Sequence, residues 1–290
     1  MLIIKKIKHL QSCLRAFRRK GKQIGFVPTM GALHDGHLAL IRQSRRQGCA
    51  TICSIFVNPT QFNDPADYQK YPITLTRDID LLEKTGCDLL FLPDKEEIYP
   101  GGVKPPRPVS YGLVTEVLEG ECRPGHFDGM VQVVRRLLLI TRPDDLFMGQ
   151  KDYQQQLIVG ELIREMNLAT RLHRCATVRE KDGLAMSSRN VRLSPAARKR
   201  ALVLYETLRY CRRVLFRIGA EQATAGGLSR MGEQKGVKVE YLSIRDAQTL
   251  APFTGRKREA VVLVAAVVDG VRLIDNMLIQ PKEAKGKLKK

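Results

Sequence analysis

The sequence predicts an α/β protein in which a parallel sheet with helices on both faces is followed by a smaller α+β domain. Two observations carry this. Through about the first 175 residues apolar strand-like runs alternate with helix-like ones, and such βαβα alternation requires a parallel sheet covered by helices. After Val178 the pattern changes to long helices and a hairpin. The expected domains are therefore residues 1–176 and 177–290.

Taken in order, the segments 24–27, 51–57, 89–92, 146–148 and 172–178 carry the apolar runs of buried strands. Between them, 38–46, 76–85, 129–140 and 153–166 show helical spacing of apolar residues. Pro28 is expected to stop the first of these strands. The Pro- and Gly-rich stretch 95–108 reads as a long surface loop, often a lid or contact segment. In the second domain Ser194 as N-cap and Pro195 at the first helical position open a long helix toward Arg217. A second helix and the segment 237–244 follow, and then 260–268 and 271–274 flank Asp269-Gly270, a two-residue hairpin signal.

A chain of 290 residues with 43% hydrophobic content can bury a substantial core. Its formal charge of +19 would suit a nucleic acid, an anionic surface or a polyanionic substrate. The basic residues are dispersed, however, and the nearest clusters are 15–20, 198–200 and the tail 282–290. With no Trp, and with Tyr and Phe not interleaved with the basic runs, the stacking platform of a nucleic-acid binder is missing. A solvated basic surface and no nucleic-acid partner are expected. Seven scattered cysteines without a C-x-x-C pair, and no signal peptide, point to a reducing cytoplasm. The longest apolar stretch, 260–268, is far short of the roughly 20 residues a membrane span needs.

The segment that carries chemistry turns from the first of these strands through Gly31 into His34 and His37. If 38–46 is a helix, both imidazoles lie in or just before its first turn, where residues three apart are neighbours. A helix N-terminus offers unpaired N–H groups and partial positive charge, which attract phosphate. The turn also lies outside the carboxyl end of a strand, where open α/β sheets bind ligands. A surface His pair and a zinc site are the competing readings, the latter weakened by the lack of further ligands at suitable spacing. Neither G-x-G-x-x-G nor the Walker A pattern follows this strand, so the turn is left as the phosphate device. Gly149-Gln150-Lys151-Asp152 opens the helix after the fourth strand, with Lys151 a candidate phosphate contact and Asp152 a ribose contact or helix cap.

These motifs, together with 56–62 (Phe-Val-Asn-Pro-Thr-Gln-Phe), 123–127 (Arg-Pro-Gly-His-Phe), Gln155 and 182–190 (Asp-Gly-Leu-Ala-Met-Ser-Ser-Arg-Asn), occur in an order that resembles the pantothenate synthetase family. The match covers 25–192, and 272–276 resembles the family's C-terminal end. The resemblance implies a Rossmann-like nucleotidyltransferase domain with a small C-terminal lid, usually a homodimer. It implies ligation of (R)-pantoate to β-alanine through a pantoyl adenylate, with ATP giving AMP and pyrophosphate. His37 would be the proton donor, acting with His34 and Lys151. ATP would lie along Met30, Gly31, Ala32, Leu33, His34, Asp35, Gly36, His37, Gly149, Gln150, Lys151, Asp152, Val178, Met186, Ser187, Ser188 and Arg189. The last four resemble a variant of the KMSKS loop of related adenylate-forming enzymes.

Gln61 and Gln155, whose amides both donate and accept, would bind pantoate, and Gln61 also β-alanine. Pro28 and Phe62 are candidate apolar walls. Mg²⁺ would arrive with ATP, because no protein metal site is visible. Gln150 departs from the family, which usually carries Glu there. A different nucleotidyltransferase, such as a nucleotide adenylyltransferase, would share the His pair but not the motifs at 56–62 and 123–127.

Overall fold

In the first compact unit, Met1–Arg179 with Met186–Asn190, short buried strands alternate with amphipathic helices. The order is β1 (Leu2–Ile4), α1 (Ile7–Arg19), β2 (Ile24–Thr29), α2 (Asp35–Arg46), β3 (Ala50–Ile55), α3 (Pro65–Gln69), α4 (Leu75–Thr85) and β4 (Leu89–Phe91). It continues with α5 (Lys95–Ile98), α6 (Leu113–Glu116), α7 (Glu119–Cys122), α8 (His126–Thr141), β5 (Asp145–Gly149), α9 (Tyr153–Glu165) and β6 (Arg171–Cys175). This computed structural model describes residues 1–255 and 258–281. The basic tail 282–290 lies outside the described residues.

All six strands are parallel, in the order β1-β4-β3-β2-β5-β6. The chain lays β3 and β4 to one side of β2 and β5 and β6 to the other, so the order reverses between β2 and β5. Such a reversal opens a crevice at the carboxyl edge. The inner strands are largely apolar because helices cover both faces; Phe26, Ile52, Leu89, Leu90, Phe91 and Phe147 are all buried, as are the polar exceptions Thr51, Ser54 and Asp145.

One expectation is corrected at that reversal. Pro28 does not stop β2, which runs on to Thr29. Main-chain groups alternate between the two neighbours: Ile24 C=O accepts from Asp144 N–H, and Thr29 C=O accepts from Phe56 N–H. Pro28 therefore faces β5, and the β2–β5 ladder ends at Phe26–Leu146 while pairing with β3 continues to Thr29–Ile55. The missing N–H parts the sheet on one side only.

The other differences are smaller. The strand expected at 172–178 ends at Cys175, β1 is an additional edge strand, and the loop at 95–108 begins with the single turn of α5.

The second unit, Glu180–Ala185 with Val191–Lys290, contains α10 (Pro195–Ile218), α11 (Ala220–Gly232) and the antiparallel strands β7 (Val237–Asp246), β8 (Ala260–Val268) and β9 (Val271–Ile279). Ser194 Oγ accepts the Ala197 N–H at 3.1 Å, as an N-cap should. Asp269 and Gly270 both have positive φ, 45° and 79°, the geometry of a tight hairpin turn. Leu204, Leu208 and Cys211 of α10 pack with Val262 and Val264 of β8 in the core of this unit.

Helix α8 approaches the 3₁₀ turn Pro59–Gln61 so closely that a Cβ on Gly129 would lie 2.0 Å from the Thr60 carbonyl oxygen. In an ordinary helix interior Gly→Ala stabilises by up to about 1 kcal/mol. Here Gly129→Ala is expected to destabilise by roughly 1 to 3 kcal/mol through overpacking. The urea unfolding midpoint measures this, and an unchanged or raised midpoint would contradict the close approach.

Candidate active site

From Thr29 the chain turns sharply into α2, with Gly31 and Ala32 both at positive φ, 80° and 49°. A non-glycine residue there costs about 1 kcal/mol or more and needs outside support. Asp78 of α4 supplies it. Its buried carboxylate accepts the Ala32 and Leu33 N–H groups, each at 2.8 Å, and the Thr74 hydroxyl at 3.0 Å. Thr29 Oγ1 accepts the Gly31 N–H at 3.2 Å and donates to Ser54 C=O at 2.7 Å.

His34 is the N-cap of α2. Its Nδ1 accepts the Gly36 N–H at 3.2 Å, and His37 Nδ1 accepts the His34 N–H at 3.3 Å. A Cβ on residue 36 would lie 2.8 Å from the His34 ring, so glycine lets that ring fold back over the helix start. With both Nδ1 atoms accepting, each neutral ring carries its proton on Nε2. The ring centroids are 4.0 Å apart. Burial first, and then His34 and Lys151, hold the His37 pKa well below the ordinary 6.5.

Much of the turn's main chain is committed to holding its own shape. The N–H groups of Gly31, Ala32, Leu33, His34, Gly36 and His37 are already bonded within the turn or to Asp78. The imidazole Nε2–H groups add side-chain donors to this turn.

Across the crevice Lys151 and Asp152 follow β5, with Lys151 Nζ 3.5 Å from Asp152 Oδ1. Asp152 holds the N-cap position of α9 but makes no side-chain bond to the helix backbone, so its expected capping role is replaced by this ion pair. Beyond β6, Met186 N–H donates to Val178 C=O at 3.0 Å. Ser188 Oγ donates to Ala32 C=O at 3.2 Å. Arg189 pairs with Asp67 of α3 at 2.6 Å and lies 6.0 Å from the Tyr71 ring centroid.

These elements enclose a cavity of about 220 Å³. Of the residues expected at the site, Met30, His34, Gly36, His37, Gln61, Gly149, Lys151, Asp152, Gln155, Val178, Met186, Ser187, Ser188 and Arg189 line it. So do the apolar walls Pro28 and Phe62. Gly31, Ala32, Leu33, Asp35 and Gln150 do not. Gly31 and Ala32 border a second cavity on the Asp78 side, Leu33 is core, Asp35 faces Arg42 at 3.9 Å, and Gln150 N–H donates to Cys175 C=O at 2.7 Å.

Sequence reasoning missed several supports. Asn58, buried, donates to Gln61 Oε1 at 3.3 Å and accepts from Tyr99 OH at 2.7 Å. Arg123 and His126 also line the cavity and bond to the Gln61 main chain. All three lie inside motifs noted above, with nothing in the sequence to tell what they touch. Asp78 did leave a signal, an acid on the apolar stripe formed by Leu75, Ile79 and Leu82.

A parallel sheet that reverses at an imidazole- and lysine-lined crevice defines a Rossmann-like, nucleotide-binding enzyme. The sequence model of the pantoate-β-alanine ligase family matches residues 2–278, and the chain belongs to that family. The pantothenate synthetase of Cytophaga hutchinsonii is 41% identical over 96% of this chain and 99% of its own length. That of Aquifex aeolicus is 42% identical over 96% and 99%. The crystal structure of pantothenate synthetase from Thermus thermophilus matches with TM-score 0.89 at 40% identity, covering 97% of this chain and all of the other. The pantoate-β-alanine ligase of Francisella tularensis, complexed with β-γ ATP and β-alanine, matches with TM-score 0.80 at 38% identity, covering 96% and 97%.

Asp78→Ala would strand two buried N–H groups and is expected to cost about 3 kcal/mol, read as a lower unfolding midpoint; an unchanged midpoint would remove Asp78 as the anchor of the turn. Burial, aided by the Arg123 charge, pushes the His126 pKa down to about 4 from 6.5. Between those values the unfolded chain binds more protons, so stability falls as pH drops from about 6.5 to about 4, by roughly 3 kcal/mol from this group. In His126→Asn this part of the pH dependence should vanish from denaturation midpoints; an identical slope would contradict the assignment.

Proposed function

We propose that the cavity binds ATP and pantoate together and couples the acid to β-alanine in two steps. The pantoate carboxylate attacks the α-phosphorus of ATP, forming pantoyl adenylate and releasing pyrophosphate. The β-alanine amine then attacks the acyl carbon, giving pantothenate and AMP. One observation carries the reading: two Nε2–H donors and the Lys151 ammonium share a crevice with the amides of Gln61 and Gln155. Cationic and neutral donors suit the triphosphate, and amides suit an acid that also bears hydroxyls.

In the first step negative charge builds on the departing pyrophosphate, and donors already in place stabilise it without reorganisation. His37 enters neutral and donates from Nε2. To act as proton donor the ring first takes up a proton from solvent, which the negative charge of an approaching phosphate favours, and the imidazolium returns that proton to the departing pyrophosphate as the bond to it breaks. Lys151 and Arg189 exchange their carboxylate partners, Asp152 and Asp67, for phosphate oxygens. Val178 and Met186 to Arg189 flank the nucleotide.

Among the described residues no group of three or more His, Cys, Asp or Glu side chains could hold a metal, and Asp152 is the only acid lining the cavity. That donor set fits a magnesium ion carried by the phosphates of ATP and by water, with Asp152 within its reach. When bound it neutralises phosphate charge. No side chain of the site is assigned as a base, and the proton lost by the β-alanine ammonium passes to water or a phosphate oxygen.

Free cysteines throughout fit a reducing cytoplasm, and among the described residues no helix is long and apolar enough to cross a membrane. We extend the reading to a homodimer on the strength of the family resemblance.

Exchange of labelled pyrophosphate into ATP should require pantoate and proceed without β-alanine; folded protein that gives no exchange would overturn the reading. His37→Ala should lower exchange by about 10²- to 10³-fold while costing no more stability than the capping bond it makes to His34, about 1 kcal/mol, whereas a much larger loss of stability would make the histidine structural.

A further inference from the structure

Gln61 ends a single 3₁₀ turn, Pro59–Gln61. So short a turn does not hold its own geometry, and the last residue needs an external anchor. Asn58 and Met30 engage the Gln61 side chain, with Gln61 Nε2 2.8 Å from Met30 Sδ. Its main chain is held from another direction. His126, in the first turn of α8, has Nδ1 2.7 Å from the Gln61 carbonyl oxygen and Nε2 3.0 Å from Arg123 Nη1. A guanidinium only donates, so Nε2 must accept, the proton sits on Nδ1, and Nδ1–H donates to Gln61 C=O. Arg123 Nη2 reaches the same oxygen at 3.5 Å, and Glu119 of α7 lies 3.7 Å from Arg123 Nη1.

We propose that Arg123 and His126 are positioning residues for Gln61, fixing its main chain against α8 so that its amide meets the acid substrate in one orientation. The proposal rests on Gln61 being the substrate-binding amide of the function proposed above. His126 is almost wholly buried and is faced by Arg123 and Glu119 of the α7 segment and by Asp152 before α9. Protonating Nε2 would set one N–H against another and break the link to Arg123. The neutral ring is therefore the competent form, and the guanidinium beside it helps keep it neutral.

The test is pyrophosphate exchange by the full chain with pantoate and ATP varied in turn, accompanied by melting curves. Gln61→Ala and His126→Ala should each raise the pantoate KM about tenfold while the ATP KM changes less than about twofold. His126→Asn, whose amide nitrogen stands where Nδ1 does, should bring the pantoate KM back to within about threefold of wild type. Arg123→Met should move the acid limb of kcat/KM for pantoate to higher pH, and this movement should be absent when His126→Asn is added.

An unchanged pantoate KM in His126→Ala, or a folded His126→Asn that fails to rescue, would overturn the proposal if Gln61→Ala shows its effect. Gln61→Ala without effect on pantoate or β-alanine would overturn the subsite reading and this proposal with it. If His126→Ala does not fold, the acid limb of Arg123→Met decides, and an unmoved limb would refute it.

Discussion

The turn that carries both imidazoles depends on one buried carboxylate. Asp78 accepts two consecutive main-chain N–H groups from a turn whose Ala32 is left-handed, so the turn keeps a shape its own residues disfavour. That shape delivers His34 to the N-cap of α2, where it and His37 each bond to the other's end of the turn. With the cap and the carboxylate engaging most of the turn's main chain, both imidazoles line the crevice. A carboxylate some forty residues away in sequence thus decides which atoms a ligand meets.

The crevice has an equally local cause. Pro28 lacks an N–H on the side facing β5, and the ladder on that side ends before it. The neighbouring pair β2–β3 stays closed to its last residue. The opening therefore falls between the two strands whose following turns carry His37 and Lys151, at the point where strand order reverses.

Much of the sheet could be read in advance because buried parallel strands are continuous apolar runs, and segments such as 51–57 and 89–92 are unmistakable as such. β1 was not legible, since three residues carry no periodicity. Pro28 does not mark the end of β2, because the N–H it lacks would face only one neighbour. In the site, His34, His37 and Lys151 stood out by residue type and position. How many of the turn's main-chain N–H groups its own cap would engage was not legible, because caps are decided by side-chain rotamers. Asn58, Arg123 and His126 lay in motifs whose meaning is tertiary: each acts on Gln61 from a different element. Asp78 could have been suspected from its place on an apolar stripe, though its partners in the turn could not.

The two ion pairs at the mouth of the crevice, Lys151 with Asp152 and Arg189 with Asp67, bear on what the site ignores. Each cation already has a carboxylate, so a lone inorganic phosphate gains little by displacing one of them. On the proposed function, a triphosphate spanning the crevice would replace both at once and add the imidazole donors. Discrimination against small cellular anions then follows from partner exchange, with no steric filter required.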